Sequence, residues 1–139
     1  MSLGYIDGDT ETDVLVSSQG TSQDIYWFEN DGSENFASNP HSIDTSFSAQ
    51  YNTLADINDD GDLDAMVASY YGYKVSWYAN DGAGNFGSEN ILPGSGITDF
   101  EGANHPHVGD LDNDGADIFF IPQICIFVII NKCLISKSN

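Results

Sequence analysis

The chain has 139 residues, enough for one domain, with 22 acidic residues against three lysines and no arginine, and a formal net charge of −19. That balance excludes nucleic acid and anionic membrane surfaces as partners, because both are held through Lys and Arg. Apolar residues make up 40% and aromatics 12% of the chain, so a core is available and charge-driven disorder is a poor description.

The acidic excess suits a protein neutralised by divalent cations. The N-terminus has neither the basic start nor the apolar core of a secretory signal. No membrane insertion is expected, since the longest apolar stretch, Ile124 to Ile130, is far short of the roughly 20 residues that span a bilayer. Cys125 and Cys133 say little about redox compartment.

In chain order, the first feature is Tyr5-Ile6-Asp7-Gly8-Asp9-Thr10-Glu11-Thr12-Asp13. It is a degraded copy of a better loop further on, with Asp7, Asp9 and Asp13 at positions three, five and nine. Tyr5 stands at position one and Thr10 at position six, so weak cation binding or none is expected there. Val14-Leu15-Val16-Ser17-Ser18 then reads as a strand, a short turn at Gly20 follows, and Ile25-Tyr26-Trp27-Phe28-Glu29 reads as another strand. Asn30-Asp31-Gly32 between strand-like runs is a hairpin signal.

The same order recurs about 50 residues later. Asp56-Ile57-Asn58-Asp59-Asp60-Gly61-Asp62-Leu63-Asp64 puts oxygen-bearing side chains at positions one, three, five and nine: Asp56, Asn58, Asp60 and Asp64. Gly61 at position six suits a sharp turn. Calcium takes six to eight oxygen ligands in flexible geometry, and such a loop can wrap it. Asp62, at position seven, is expected to offer its backbone carbonyl. Without a cation, each pair of carboxylates about 4 Å apart repels by roughly 4 kcal/mol at an effective dielectric of about 20. An EF-hand would carry Glu at position twelve between helices; here that position is Val67, in the strand-like run Ala65-Met66-Val67-Ala68. The ion therefore closes a β-hairpin. A turn at Gly72, the strand Val75-Ser76-Trp77-Tyr78-Ala79, the turn Asn80-Asp81-Gly82 and a weaker strand reaching Ile91-Leu92 complete this copy.

A third copy opens at Asp110, with Asp112 and Asp114 at positions three and five. Asp117 arrives one place early, so this loop is one residue shorter. Binding there requires the backbone to adjust. Each copy reads as strand, acidic loop, strand, turn, strand, Asn-Asp-Gly turn, strand. Four short antiparallel strands per repeat make a β-propeller blade. The expected fold is all-β, with two such repeats and part of a third: about 4–50, 51–102 and 103–121. A propeller needs at least four blades, so the chain is expected to be a piece of a longer protein or a truncated gene product, beginning inside an acidic loop and stopping mid-blade.

Residues 122–139 depart from the pattern. Ile118-Phe119-Phe120-Ile121-Pro122 still begins a strand, but Ile124-Cys125-Ile126-Phe127-Val128-Ile129-Ile130 has no Asp or Gly. One reading is a frame or splice error between Gly115 and Ile121; the other is a buried final strand.

The motifs Asp56 to Asp64 and Trp77-Tyr78-Ala79-Asn80-Asp81-Gly82-Ala83-Gly84-Asn85-Phe86-Gly87, with their first-copy counterparts, resemble the FG-GAP or VCBS repeats. The integrin α-subunit β-propeller is the best-known example of that family. The resemblance covers about residues 4–121. It implies calcium in the hairpin loop between the first two strands of each blade, an extracellular or cell-surface setting, and a role in adhesion or ligand recognition. A few propellers of this kind are lectins or enzymes. The Gly-Ala-Pro element of the family name is absent, which favours the VCBS-like branch.

Other chemistry is weakly signalled. His105-Pro106-His107 puts two histidines on one strand face, but no Cys stands nearby to complete a zinc set. His41 is isolated. There is no Gly-x-Ser-x-Gly elbow, and most carboxylates available for a glycosidase pair are accounted for by the loops. Trp27 and Trp77 either stack on a sugar or pack between blades.

The reading reached is a calcium-binding repeat module, not an enzyme, with neighbouring blades of a longer chain and an unnamed protein or glycan ligand as partners. A carbohydrate-binding or carbohydrate-active propeller, or a non-functional gene fragment, are the alternatives.

Overall fold

A computed structural model describes residues 1–18, 24–33, 35–45, 49–69 and 74–92, and beyond these the backbone of four strands: 107–109, 118–121, 126–129 and 135–137. The described residues are all-β. Sheet I runs in the order β1 (Ser2–Gly4), β2 (Asp13–Ser17), β3 (Ile25–Phe28), β4 (His41–Asp44). Sheet II repeats this with β5 (Tyr51–Ala55), β6 (Asp64–Ser69), β7 (Lys74–Tyr78) and β8 (Asn90–Ile91). All neighbours are antiparallel.

The chain does not begin inside its first acidic loop. Ser2–Gly4 forms a strand ahead of it, paired with β2 through Leu3 opposite Val14, and completes sheet I. Three residues carry too little pattern to be read as a strand; the pairing partner supplies what the sequence lacks.

The two sheets share one register. Gly4 faces Asp13 and Val14 faces Phe28 in sheet I; Ala55 faces Asp64 and Ala65 faces Tyr78 in sheet II. Residues 5–12 and 56–63 are therefore equivalent loops, each joining the first two strands of its sheet. The hairpins after β3 and β7 also match. Asn30 bridges to Phe36 and Asn80 to Phe86. Asp31 N–H donates to Asn35 O and Asp81 N–H to Asn85 O, both at 3.2 Å.

Burial alternates along β3, where Ile25 and Trp27 are buried while Tyr26 and Phe28 are half-buried. Every residue of β6 is buried, which explains its continuous apolar run: the strand is central and covered on both faces.

Leu15, Ile25 and Trp27 of sheet I meet Ala65, Val67 and Tyr78 of sheet II in one core. Ala65 and Tyr78 occupy the register places of Val14 and Phe28, which lie outside that core. Sheet II thus offers sheet I the face that sheet I turns away. The sheets stack front to back, an arrangement that further copies can extend. Polar contacts line the seam: Tyr78 Oη donates to Asp44 Oδ2 at 2.7 Å, Asn52 Nδ2 to Ser17 Oγ at 2.8 Å, and Ser2 Oγ to Asn52 Oδ1 at 2.8 Å.

Sheet III joins β9 (His107–Gly109), β10 (Ile118–Ile121), β11 (Ile126–Ile129) and β12 (Ile135–Lys137). Ile118 lies opposite Ile129 and Ile121 opposite Ile126. The boundary expected at residue 121 thus falls between two paired strands. The turns at Gly20 and Gly72 lie outside the described residues.

Candidate metal centre

Each acidic loop is anchored by its ninth residue. Asp13 and Asp64 are both 0% exposed. Asp13 Oδ2 accepts the Ile6 N–H at 2.8 Å and Oδ1 accepts the Asn30 N–H at 2.9 Å. Asp64 does the same with Ile57 and Asn80, both at 2.9 Å. One carboxylate in each repeat therefore ties the start of the acidic loop to the Asn-Asp-Gly hairpin. Ile6 and Ile57, at position two, turn inward and are buried, pinning the loop to the core. Burial raises the pKa of both carboxyls, the backbone N–H groups pull it down, and the neighbouring loop carboxylates raise it: Asp7 and Asp9 for Asp13, Asp60 and Asp56 for Asp64.

In the first loop, one carboxylate oxygen each from Asp7, Asp9 and Asp13 lie within 4.8 Å of one another. Asp7 Oδ1 also accepts the Asp9 N–H at 3.1 Å, and Asp9 Oδ1 the Glu11 N–H at 2.7 Å. Of the two described loops, the one with the more degraded sequence is the one whose carboxylates converge this closely. Position four takes a left-handed conformation in both loops, Gly8 with φ 80° and Asp59 with φ 64°.

In the second loop, Asp56 Oδ1 and Oδ2 accept the Asp60 and Gly61 N–H groups at 3.1 and 2.9 Å. Asn58 Oδ1 accepts the Asp60 N–H at 3.0 Å, and Asn58 Nδ2 donates to Asp60 Oδ2 at 2.7 Å. Asp60 Oδ1 accepts the Asp62 N–H at 2.9 Å. These Asx-type turns give the side chains local N–H partners, as they do for Asp7 and Asp9 in the first loop. Gly61 takes φ 95°, as its position requires. The Asp62 carboxylate rests against Gly82, and Glu11 rests against Gly32 in the same way. Position seven thus turns its side chain to the hairpin in both loops.

The third loop, Asp110, Asp112, Asp114 and Asp117, lies outside the described residues, as does His105; His107 is described only as backbone in β9. Sequence reasoning missed His41, whose ring stacks on Trp27 at 4.4 Å and whose Nε2 lies 3.4 Å from Glu29 Oε2. It also missed the clamp function of Asn80. Its Nδ2 donates to Ile6 O at 2.7 Å and Leu63 O at 3.1 Å. The only sign available was that Asn precedes Asp-Gly in both hairpins.

The donor set is hard oxygen throughout, which suits calcium and gives a soft metal nothing to hold. Among the described residues, no helix is long and apolar enough to cross a membrane.

No curated protein matches the chain. The model of the FG-GAP-like repeat matches twice, over residues 6–67 and 56–119. Each match opens in one acidic loop and runs on past the next, which is the period of the two sheets. Since the two together span most of the sequence, the chain belongs to the FG-GAP-like repeat family.

Proposed function

We propose that the chain is a calcium-binding β-propeller repeat module, with structural calcium, serving adhesion or ligand recognition outside the cell. The observation that carries this reading is the approach of Asp7, Asp9 and Asp13 to within 4.8 Å. Three carboxylates that close repel unless a cation sits among them. An ion there closes the β1–β2 hairpin, and one among Asp56, Asn58, Asp60 and Asp64 closes β5–β6. At a dissociation constant near 10⁻⁴ M and ~2 mM calcium, one such site stabilises by roughly 1.8 kcal/mol. That magnitude suits a structural brace in a calcium-rich medium, not a cytosolic switch.

The front-to-back stacking of sheets I and II supports neighbouring blades as partners. Leu3 and Phe36, on or beside the outer face of sheet I, are 61% and 51% exposed; in sheet II the corresponding Leu54 and Phe86 pack against the core. We assign the chain no catalytic step. A sugar-stacking role draws no support from Trp27, which is 2% exposed beneath sheet II.

Thermal unfolding of the full chain with calcium, then with excess chelator, tests the reading. Calcium should raise the melting temperature by about 4–7 °C per occupied site. A cooperative melt indifferent to both additions would reduce the loops to acidic turns.

A further inference from the structure

Asn80 holds parts of both acidic loops. Its Nδ2 donates to Ile6 O at 2.7 Å and to Leu63 O at 3.1 Å, and its backbone N–H donates to Asp64 Oδ1 at 2.9 Å. Ile6 O belongs to the peptide whose N–H is that of Asp7. Leu63 O belongs to the peptide whose N–H is that of Asp64. Asn80 thereby fixes the peptide entering the acidic set of the first loop and the peptide entering position nine of the second. From Ile6 the path continues to Asp13 Oδ2 at 2.8 Å, and from Asp64 to the Ile57 N–H at 2.9 Å.

The amide has one sensible orientation. Both Nδ2 hydrogens face carbonyl oxygens, and the reversed amide would set its own oxygen against them. Asn80 is 3% exposed. The same hairpin also covers the first loop directly: a Cβ on Gly8 would lie 2.6 Å from Gly82 O. In the first repeat, Asn30 makes the part of this set that lies within one sheet, with its N–H on Asp13 Oδ1 at 2.9 Å and Nδ2 on Thr12 O at 3.2 Å.

We propose that Asn80 is a positioning residue for the cation loop of the preceding repeat, and that it couples the two loops so that an ion in either raises the affinity of the other. The proposal rests on the calcium reading above. An ion in the second loop holds Asp64, and through it Asn80 and the Ile6 peptide. The first loop then binds its ion with part of its ordering already done. Linkage makes the effect reciprocal.

The test is a calcium titration of the full chain followed by ¹H–¹⁵N NMR, with the Gly8 and Gly61 amides as separate reporters of the two loops. Asp60→Asn, which disables the second loop, should weaken calcium binding read at Gly8 by about fivefold or more. Asp9→Asn should do the same at Gly61. In an Asn80→Ala background the Asp60→Asn effect at Gly8 should vanish, and Asn80→Ser, which keeps one donor, should restore part of it; the Ser variant serves alone if the Ala variant does not fold. Unchanged affinity at Gly8 in Asp60→Asn would overturn the coupling while leaving calcium binding intact. Coupling that persists without the Asn80 amide would overturn the role of Asn80. No calcium-dependent shift at either glycine in the unaltered chain would overturn the calcium reading itself.

Discussion

The indole of Trp27 in sheet I lies against Gly84 in the hairpin that follows β7, so close that a Cβ on residue 84 would come within 2.4 Å of the ring. Gly84 also holds φ 74°. Both facts forbid a side chain, one by crowding and one by backbone conformation. Gly84→Ala should therefore destabilise the chain by about 1–3 kcal/mol and move Trp27 fluorescence, because the ring must shift out of the seam. Urea unfolding followed by tryptophan emission checks this. A midpoint within error of the parent would show that the seam relaxes freely around the ring.

Tyr78 spans the same seam at its other side. Its hydroxyl donates to Asp44 Oδ2 at 2.7 Å, and its phenol pKa is driven far upward, first by burial and then by Asp44. The hydroxyl stays protonated across the whole physiological range. Tyr78→Phe removes a hydrogen bond to a charged acceptor with little change in shape, at a cost of about 1.5–3 kcal/mol. The denaturant slope should stay constant, since the surface exposed on unfolding barely changes. An altered slope would mean that the two sheets no longer unfold together.

Much of this fold was legible because its unit is stated twice. The pairing of Val14–Ser18 with Ala65–Ser69, and of Asn30-Asp31-Gly32 with Asn80-Asp81-Gly82, fixes strand order without any knowledge of packing. What the sequence hid lies between the copies. Gly84 is matched by Glu34 in the first hairpin, so comparison of the repeats gives no sign that a ring from the other sheet excludes a side chain there. The loops show a related limit. Ligand spacing ranked Asp56 to Asp64 above Asp7 to Asp13, because spacing counts donors. It does not show that the donors also accept nearby backbone N–H groups, as Asp7, Asp9, Asp56 and Asp60 do. Asp13 and Asp64 looked like loop ligands alone; their second task, joining loop to hairpin through two backbone N–H groups each, depends on contacts 7 to 17 residues away.

That second task predicts a cost that calcium does not explain. Asp64→Ala leaves the Ile57 and Asn80 N–H groups without their acceptor in a buried setting. Each lost partner costs about 1–3 kcal/mol, so the variant should lose about 3 kcal/mol or more even in chelator. Asp60→Ala, whose carboxylate serves an exposed turn, should lose far less under the same condition. Chemical denaturation of both variants in chelator separates the two functions. Equal, small losses would mean that Asp64 is a cation ligand and nothing more.

The same two carboxylates give the metal-free chain an unusual pH dependence. Asp13 and Asp64 carry raised pKa values in the folded state, chiefly through burial, against an ordinary value of 3.8. The folded chain then binds their protons more tightly than the unfolded chain does. Their contribution to stability is fully present below the ordinary value and is lost as pH rises through the raised folded value. Relief of mutual repulsion among the 22 acidic residues acts in the same direction as pH falls. Asp81 opposes them: its pKa is lowered, first by the Asn85 side chain, so its contribution is lost as pH falls below 3.8. It sits on an exposed turn, where the effect is screened. The metal-free chain should therefore gain stability as pH falls from neutrality toward the ordinary carboxylate value of 3.8. A bound cation favours the ionised carboxylates and should flatten or reverse that slope. Melts across this range, with chelator and with saturating calcium, decide the matter. A metal-free chain that loses stability on acidification from pH 7 would refute the account of Asp13 and Asp64 as buried clamps that resist ionisation.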